Sequence, residues 1–143
     1  MSTVKQLLDQ KGRRVVAVMP DAPVLEAVQL MADHHIGAVL VMRGRELLGI
    51  LSERDYARKV ILKGRSSAAT PVQEIMSSPV VQVGPDDTVS TCMRIMTERR
   101  FRHLPVCEEG EISGVLSIGD LVKAVIEAQQ QEIAQLQQYI TAG

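Results

Sequence analysis

The sequence predicts a mixed α/β protein of the α+β type, made of two related copies of one β-α-β-β-α unit. First, residues 15–61 align with residues 80–126 without a gap at an offset of 65, and 15 of the 47 pairs are identical. Second, short runs of Val, Ile and Leu alternate with stretches whose apolar residues recur at helical spacing. Third, both copies contain Gly-apolar-apolar-Ser-x-x-Asp, at residues 49–55 and 114–120, where an apolar strand runs into a helix. These observations indicate an internal duplication with pseudo-twofold symmetry.

The first copy is expected to open with a short helix over residues 4–9. Thr3 can cap this helix, and Gly12 begins the turn that follows it. Residues 15–18 are all apolar and predict a short buried strand. Pro20 closes this strand because proline has no N–H to donate to a sheet.

The next helix is expected to start at Pro23, since proline suits a first helical turn, with Asp21 as its cap. Strands are predicted over residues 36–42 and 47–51, joined by a turn that contains glycine. A helix over residues 52–62 completes the copy, and the second copy repeats the same order.

The duplication divides the chain into four segments. Repeat 1 covers residues 4–62 and repeat 2 covers residues 72–126, each with its own opening helix. Residues 63–71 are small, polar and turn-prone, so they predict an exposed connector. Because each repeat alone would have a marginal core, with fewer than about 65 residues, we expect the two repeats to pack on each other. Residues 127–143 form a helical extension.

The helix that ends repeat 2 is expected to continue to about Ile140, because neither Gly nor Pro interrupts it after Asp120. Residues at alternating spacings of four and three form a heptad-like stripe with one polar position. Such a stripe needs a partner helix, from the same chain or from a second copy. We favour a second copy, since closed homodimers dominate among soluble oligomers. The stripe consists of Val122, Ile126, Gln129, Ile133, Leu136 and Ile140.

Composition excludes several classes of function. A net charge of −1 gives no basic surface for nucleic acid or for an anionic membrane. No apolar run approaches the ~20 residues that span a bilayer, and the N-terminus lacks the apolar stretch of a signal peptide. A cytoplasmic location is therefore the default expectation. Cys92 and Cys107 are too few for a disulfide scaffold and are expected to be buried apolar residues.

Three features together carry a resemblance to a known family. Both copies have Val-x-Pro before the first helix, both have a strand that ends in the Ser-x-x-Asp pattern, and residues 102–106 enter a strand as Arg-His-Leu-Pro-Val. Over residues 4–126 the chain resembles a stand-alone tandem pair of CBS (cystathionine-β-synthase-type) domains. The resemblance implies a disc with two clefts that bind AMP, ADP, ATP, NAD or S-adenosylmethionine. It also implies a regulatory role and dimerisation through helices.

The pairs Ser52/Asp55 and Ser117/Asp120 have two interpretations. Each fits a capping box, in which Ser caps a helix and the acid at the third helical position bonds back to the cap. Each also fits a nucleotide site, because a carboxylate can accept two hydrogen bonds from a ribose cis-diol. The hydroxyl and the free amides at the helix start suit a phosphate or ribose oxygen. Two equivalent copies favour the ligand site, and both roles can coexist.

Positive charge distinguishes the two sites. Arg102 and His103 begin a strand, and the resemblance implies that they contact phosphate. Repeat 1 has Gly37 and an alanine at the equivalent positions, so the two sites are not chemically equivalent. Arg54, whose counterpart is a glycine, is expected to supply phosphate charge to the other site.

The resemblance also implies which residues surround each Ser/Asp pair. Each pair is expected to face the first strand and the second-strand entry of the opposite repeat. Ser117 and Asp120 would then work with Arg14, Val16, Ile36 and Gly37. Ser52 and Asp55 would work with Val81, Phe101 and Arg102. Valine at the base-facing positions can pack against an adenine without specifying it.

No constellation of residues predicts catalysis or a metal site. No Ser/His/Asp arrangement or Gly-rich phosphate loop is present, so we expect neither an enzyme nor a catalytic cofactor. His34 and His35 are adjacent on a helix and point about 100° apart, which fits a helix end better than a metal pair.

We therefore predict a homodimeric adenine-nucleotide sensor that signals to an unidentified partner protein. Two alternatives stay open. One is a dimerisation module that regulates a partner without any ligand, and the other is an enzyme that uses Asp55 or Asp120 as an acid or base.

Overall fold

A computed structural model describes residues 2–142. Its chain contacts define two compact units. The central unit spans Arg14–Val81, and the terminal unit joins Met1–Arg13 to Gln82–Gly143. The sequence repeats and the compact units therefore divide the chain differently, because the opening segment of each repeat packs in the unit that holds the rest of the other repeat.

The order of helices and strands repeats along the chain. A π-helical turn, Ala57–Ile61, continues the third helix, and a 3₁₀ turn, Val72–Glu74, opens repeat 2. The elements are α1 (Val4–Lys11), β1 (Ala17–Val18), α2 (Val24–His34), β2 (Ala38–Arg43), β3 (Glu46–Ser52), α3 (Glu53–Tyr56), α4 (Val89–Arg99), β4 (His103–Glu108), β5 (Glu111–Ser117) and α5 (Ile118–Ala142).

In the central unit β2 lies in the middle of a three-stranded sheet, parallel to β1 and antiparallel to β3. The first four residues of β2 are all buried, so this strand is covered on both faces. The helix α2 turns Val24, Ala27 and Met31 into the same core, because residues three and four apart share one face of a helix.

In the terminal unit β4 and β5 form a two-stranded antiparallel sheet. The helix α4 buries Val89, Cys92 and Met96, which are the repeat equivalents of the buried residues of α2. Thr3 caps α1 in a reciprocal capping box with Gln6, which confirms the predicted start of this helix.

The predicted α+β class, the duplicated order and the extended last helix are confirmed. The strand expected over residues 15–18 is confined to β1. The opening helix expected from residue 72 is only the 3₁₀ turn, because Ser77 leaves helical geometry to exchange backbone hydrogen bonds with Ile50 on β3. The corresponding first strand of repeat 2 is reduced to one parallel bridge at Val83.

Asp21 does not cap α2, contrary to the expectation. Pro23 is the residue before the helix, and no side chain caps it. The amide of Val24 donates to the carbonyl of Thr70 at 2.9 Å, and the next amide also bonds a connector carbonyl. Because backbone oxygens satisfy these first amides, the helix needs no side-chain cap.

The helix α5 extends past the end of repeat 2, as the heptad-like spacing predicted. Its apolar stripe is exposed in the single chain. Within residues 2–142, the structure contains no helix with the length and apolar character of a membrane span. The exposed large apolar residues of α5 are Val122, Ile126, Ile133, Leu136, Tyr139 and Ile140.

Candidate functional site

Ser117 and Asp120 form a reciprocal pair at the start of α5. The amide of Ser117 donates to Asp120 Oδ2 at 2.7 Å, and the Ser117 hydroxyl lies 3.0 Å from the same oxygen. The amide of Asp120 donates in return to Ser117 Oγ at 3.2 Å. The predicted capping box is therefore confirmed, and it holds the carboxylate at one orientation beside the helix start.

Ser52 and Asp55 form the equivalent pair at the start of α3. The amide and the hydroxyl of Ser52 both donate to Asp55 Oδ2, at 3.0 and 3.1 Å. The amide of Asp55 donates to Ser52 Oγ at 3.1 Å. The duplicated sequence thus produces the same local geometry in both units.

Strand register brings two of the predicted basic residues to Ser117. In the β4–β5 ladder His103 lies opposite Ser117, and the amide of Ile118 donates to the carbonyl of Arg102 at 2.8 Å. The expected grouping gave Arg102 to Ser52 and Asp55. The backbone of Arg102 lies beside Ser117, because a strand entry lies next to the end of the strand with which it pairs. The grouping of its side chain with Ser52 and Asp55 stays a prediction.

The same register applies in the central unit. Ala38 lies opposite Ser52, and the amide of Glu53 donates to the carbonyl of Gly37 at 3.0 Å. Gly37 was expected to work with Ser117, and that grouping stays a prediction. In the structure the backbone of Gly37 lies beside Ser52. A glycine stands here at the place of Arg102, so the strand entries beside the two helix starts differ in charge.

Lys11, from the end of α1, pairs with Asp120. Its ammonium lies 2.6 Å from Asp120 Oδ2 and also donates to the carbonyl of Val115 at 2.6 Å. Burial alone would raise the pKa of Asp120, but hydrogen bonds from Lys11 and Ser117 outweigh it and lower the pKa of the carboxyl. Asp120 is therefore held in its charged form.

His103 lies in the same cluster. Burial lowers its pKa, and the nearby charges of Lys11 and Arg102 lower it further, while Asp120 acts in the opposite direction. The imidazole is therefore held neutral at pH values where an exposed histidine begins to gain a proton. It can gain a proton when an anion enters the cluster.

Asp55 has a different set of partners. The hydroxyl of Ser77 donates to Asp55 Oδ1 at 3.1 Å, and the ammonium of Lys59 lies 3.2 Å from the same oxygen. Asp120 Oδ1 accepts no hydrogen bond from the residues that the structure describes. Asp120 thus offers an open oxygen where Asp55 has its own polar partners.

The remaining predicted residues lie in these two units. Val16 and Ile36 are half-buried against the central core, and the carbonyl of Val16 accepts from the amide of Leu40 at 3.1 Å. Arg14 and Arg54 are exposed. In the central unit the predicted set is Arg14, Val16, Ile36, Gly37, Ser52, Arg54, Asp55 and Val81. In the terminal unit it is Phe101, Arg102, His103, Ser117 and Asp120.

Three polar neighbours of the aspartates were missed from the sequence. Lys59 could have been found, because it lies four residues after Asp55 on the same helix. Ser77 and Lys11 carry no local signal, since 22 and 109 residues separate them from the carboxylates that they contact.

The remaining histidines and cysteines behave largely as expected. His34 ends α2, and His35 follows it in the left-handed conformation with φ 53°. Cys92 is buried, and burial raises the pKa of its thiol to about 11, whereas Cys107 is half-buried. Among the residues that the structure describes, no three His, Cys, Asp or Glu side chains cluster in a way that could hold a metal ion.

Comparison with known proteins extends these observations. The chain matches the family model described as the CBS domain twice, over residues 4–62 and 72–127. It is similar to the mitochondrial CBS domain-containing protein CBSX3 of Arabidopsis thaliana, with 36% identity, covering 99% of this chain and 73% of that protein.

Solved structures show the same fold. A protein with CBS domains from Burkholderia ambifaria is 49% identical, with a TM-score of 0.86, covering 90% of this chain and 96% of that one. A CBS domain protein from Pyrobaculum aerophilum, complexed with AMP, is 26% identical, with a TM-score of 0.75, covering 83% of this chain and 89% of that one. Both matches span the two copies of the duplicated unit.

Proposed function

The chain belongs to the CBS-domain family, and on that premise we propose that it is a non-catalytic regulatory module that binds an adenosine nucleotide. The observation that carries the proposal is the geometry of Asp120. Its carboxylate is fixed in the first turn of α5, is charged, and has one oxygen that accepts no hydrogen bond from the described residues, at a helix start that adjoins the strand entry of Arg102 and His103. A carboxylate can accept hydrogen bonds from a ribose diol, while the basic pair suits a phosphate.

Two further points support an adenosine ligand. The relative from Pyrobaculum aerophilum, which shares this fold, was solved in complex with AMP. The local geometry at Asp120 recurs at Asp55, so one chain offers two ribose-binding carboxylates. The second carboxylate lacks the adjacent basic pair, and we propose that Asp120 binds the phosphorylated ligand more tightly than Asp55.

Thermal unfolding with AMP, ADP, ATP, NAD and S-adenosylmethionine tests the proposal. A ligand at 100 times its dissociation constant adds about 2.7 kcal/mol to the free energy of unfolding, which raises the melting temperature visibly. Phosphorylated adenosine compounds should act more strongly than adenosine itself, because the nucleoside offers no anion to Arg102 and His103. If no adenosine compound moves the melting curve at millimolar concentration, the chain acts without a nucleotide, as the alternative of a ligand-free module requires.

We also propose that α5 dimerises with a second copy of this chain. The exposed stripe on α5 keeps a heptad-like spacing over its whole length, which is the pattern of helices that pair along a seam. Pairing would remove the exposed apolar side chains from water and leave both Ser/Asp pairs in place. Sedimentation at tens of micromolar tests this point, and a monomer there would contradict it.

The absence of catalysis and a cytoplasmic location stay predictions. Incubation of the protein with each nucleotide, followed by product detection, tests the first. Hydrolysis that is abolished by replacing either aspartate would favour the alternative of an enzyme.

A further inference from the structure

Lys11 forms an ion pair with Asp120, the carboxylate that the proposed function assigns to ribose binding. Its ammonium lies 2.6 Å from Asp120 Oδ2, and a diol that bonds this oxygen as well as the open Oδ1 must displace it. We propose that Lys11 makes the Asp120 site selective for phosphorylated nucleosides, by competing with the ribose for Asp120 and pairing with the phosphate once it is displaced. This inference rests on the proposed function and names a specificity-determining residue of that site.

The position of Lys11 is set by the end of α1. Arg13, two residues on, bonds Asp9 on one side at 2.7 Å and Glu108 of β4 on the other at 2.8 Å. The amide of Gly12 donates to the carbonyl of Leu8 at 2.7 Å and closes the helix. The backbone at Lys11 is therefore held at the sheet, so the ammonium can move while its Cα stays near Asp120.

The basic groups near Lys11 explain why a phosphate on the ligand would favour binding. Lys11, Asp120 and Arg102 all lie close enough to His103 for their charges to act on its imidazole, and Lys11 also pairs with Asp120, the one acid of this group. When a ribose takes Asp120, Lys11 loses its counter-ion. An unphosphorylated nucleoside provides no anion in exchange, whereas a phosphate provides one among three basic groups.

The aspartate of the central unit lacks this arrangement. Lys59 lies on the same helix as Asp55 and also donates to the carbonyl of Ile75 at 3.1 Å. Gly37 and Ala38 stand where the terminal unit has Arg102 and His103, so the strand entry places no basic side chain beside this lysine, and Arg54 of the same helix is exposed. A lysine that selects for phosphate is therefore a feature of the Asp120 site.

Calorimetric titration of adenosine and AMP tests the inference in the full chain. Asp55→Ala is used as the parent, so that only the Asp120 site is measured. Lys11→Met should bind adenosine about 2- to 5-fold more tightly, because an exposed ion pair no longer competes. It should bind AMP about 10-fold more weakly, because a charged hydrogen bond to the phosphate is lost.

Two variants serve as controls. Lys123→Met removes an equally charged side chain from the exposed surface of α5 and should leave the ratio of AMP to adenosine affinity unchanged. Lys11→Arg keeps the charge and should retain the preference for AMP, which separates the role of the charge from damage to the fold.

The outcomes distinguish the inference from its premise. If AMP binds the parent and Lys11→Met keeps the same ratio of affinities, the proposed function stands and the inference about Lys11 is wrong. If neither compound binds the parent or any variant, the proposed function fails and the inference fails with it.

Discussion

Leu8 packs directly on Gly114, so closely that a Cβ placed on the glycine would lie 2.7 Å from Leu8 Cδ2. Gly49, the equivalent glycine of repeat 1, is packed in the same way, because a Cβ placed on it would lie 2.5 Å from Met76 Sδ. In both units the opening segment of a repeat lies across the strand that leads to the Ser/Asp pair. The glycine of the repeated pattern is therefore explained by close packing rather than by ligand contact.

Gly114→Ala should lower the free energy of unfolding by about 1–3 kcal/mol, because Leu8 is fully buried and cannot move aside without disturbing the core. Gly84→Ala is the matched control, since the nearest atom to its Cβ would be 3.8 Å away. The control should be neutral or slightly stabilising, through reduced freedom of the unfolded chain. Urea unfolding of both variants measures the difference, and equal stabilities would contradict the packing explanation.

Asp120→Ala separates the capping role from the ligand role. Loss of the capping partner should cost about 1–2 kcal/mol of stability. Loss of charged hydrogen bonds to a ribose should weaken AMP about 10- to 100-fold at this site. Glu127→Ala, an acid on the exposed side of the same helix, should change neither quantity. A variant that melts lower yet binds AMP like the parent would show that the Ser-x-x-Asp pattern is a capping box only.

Asp55→Ala should destabilise the protein more than Asp120→Ala. Asp55 accepts from Ser77 as well as from its own capping serine, and removal of the carboxylate leaves the Ser77 hydroxyl without this partner. One additional hydrogen bond corresponds to about 0.5–1.5 kcal/mol. Chemical denaturation of the two variants without ligand gives the comparison, and the opposite order of stabilities would contradict it.

His103 should make the protein less stable in mild acid. Its pKa is lowered from 6.5 in the folded state, chiefly by burial and then by Lys11, so the unfolded chain binds a proton more readily. Stability is therefore retained above about pH 6.5 and falls as the pH decreases below that value. Asp120 adds a loss only below pH 3.8, because its pKa is lowered.

Melting temperatures at pH 7.5 and pH 5.5 measure this effect. His103→Gln should reduce the difference between the two values, whereas His34→Gln at the end of α2 should leave it as in the parent. AMP should also reduce the difference, because a phosphate beside His103 favours its protonated form. If His103→Gln shows the same difference in melting temperature between the two pH values as the parent, another group causes the acid sensitivity.

The exposed stripe on α5 should control self-association. Leu136→Glu places a charge within the stripe, and Gln138→Glu places the same charge on the other side of the helix. Only the first should shift the sedimentation profile towards the monomer, because charges within a helix seam are strongly disfavoured. Truncation after Ala128 should have the same effect with AMP binding retained. Equal profiles for the two point variants would contradict dimerisation through this face.

Sequence patterns determined the features that depend on neighbours within one or two turns. Both capping boxes follow from Ser and Asp three residues apart, and the buried faces of α2 and α4 follow from apolar spacing. The duplication was visible because two copies keep the same residue types at a fixed offset. The difference in charge between the two copies was visible at Gly37 and Arg102 for the same reason.

Tertiary structure decided which distant segments meet. The amides at the start of α2 could be satisfied by Asp21 or by the connector, and only packing selected the connector. Lys11 meets Asp120 across 109 residues of sequence, and the opening segment of each repeat joins the other repeat's unit. Periodicity specifies which face of an element is apolar, but not which surface covers it. Lys11 beside Asp120 and Ser77 beside Asp55 were therefore decided only by the packing of the folded chain.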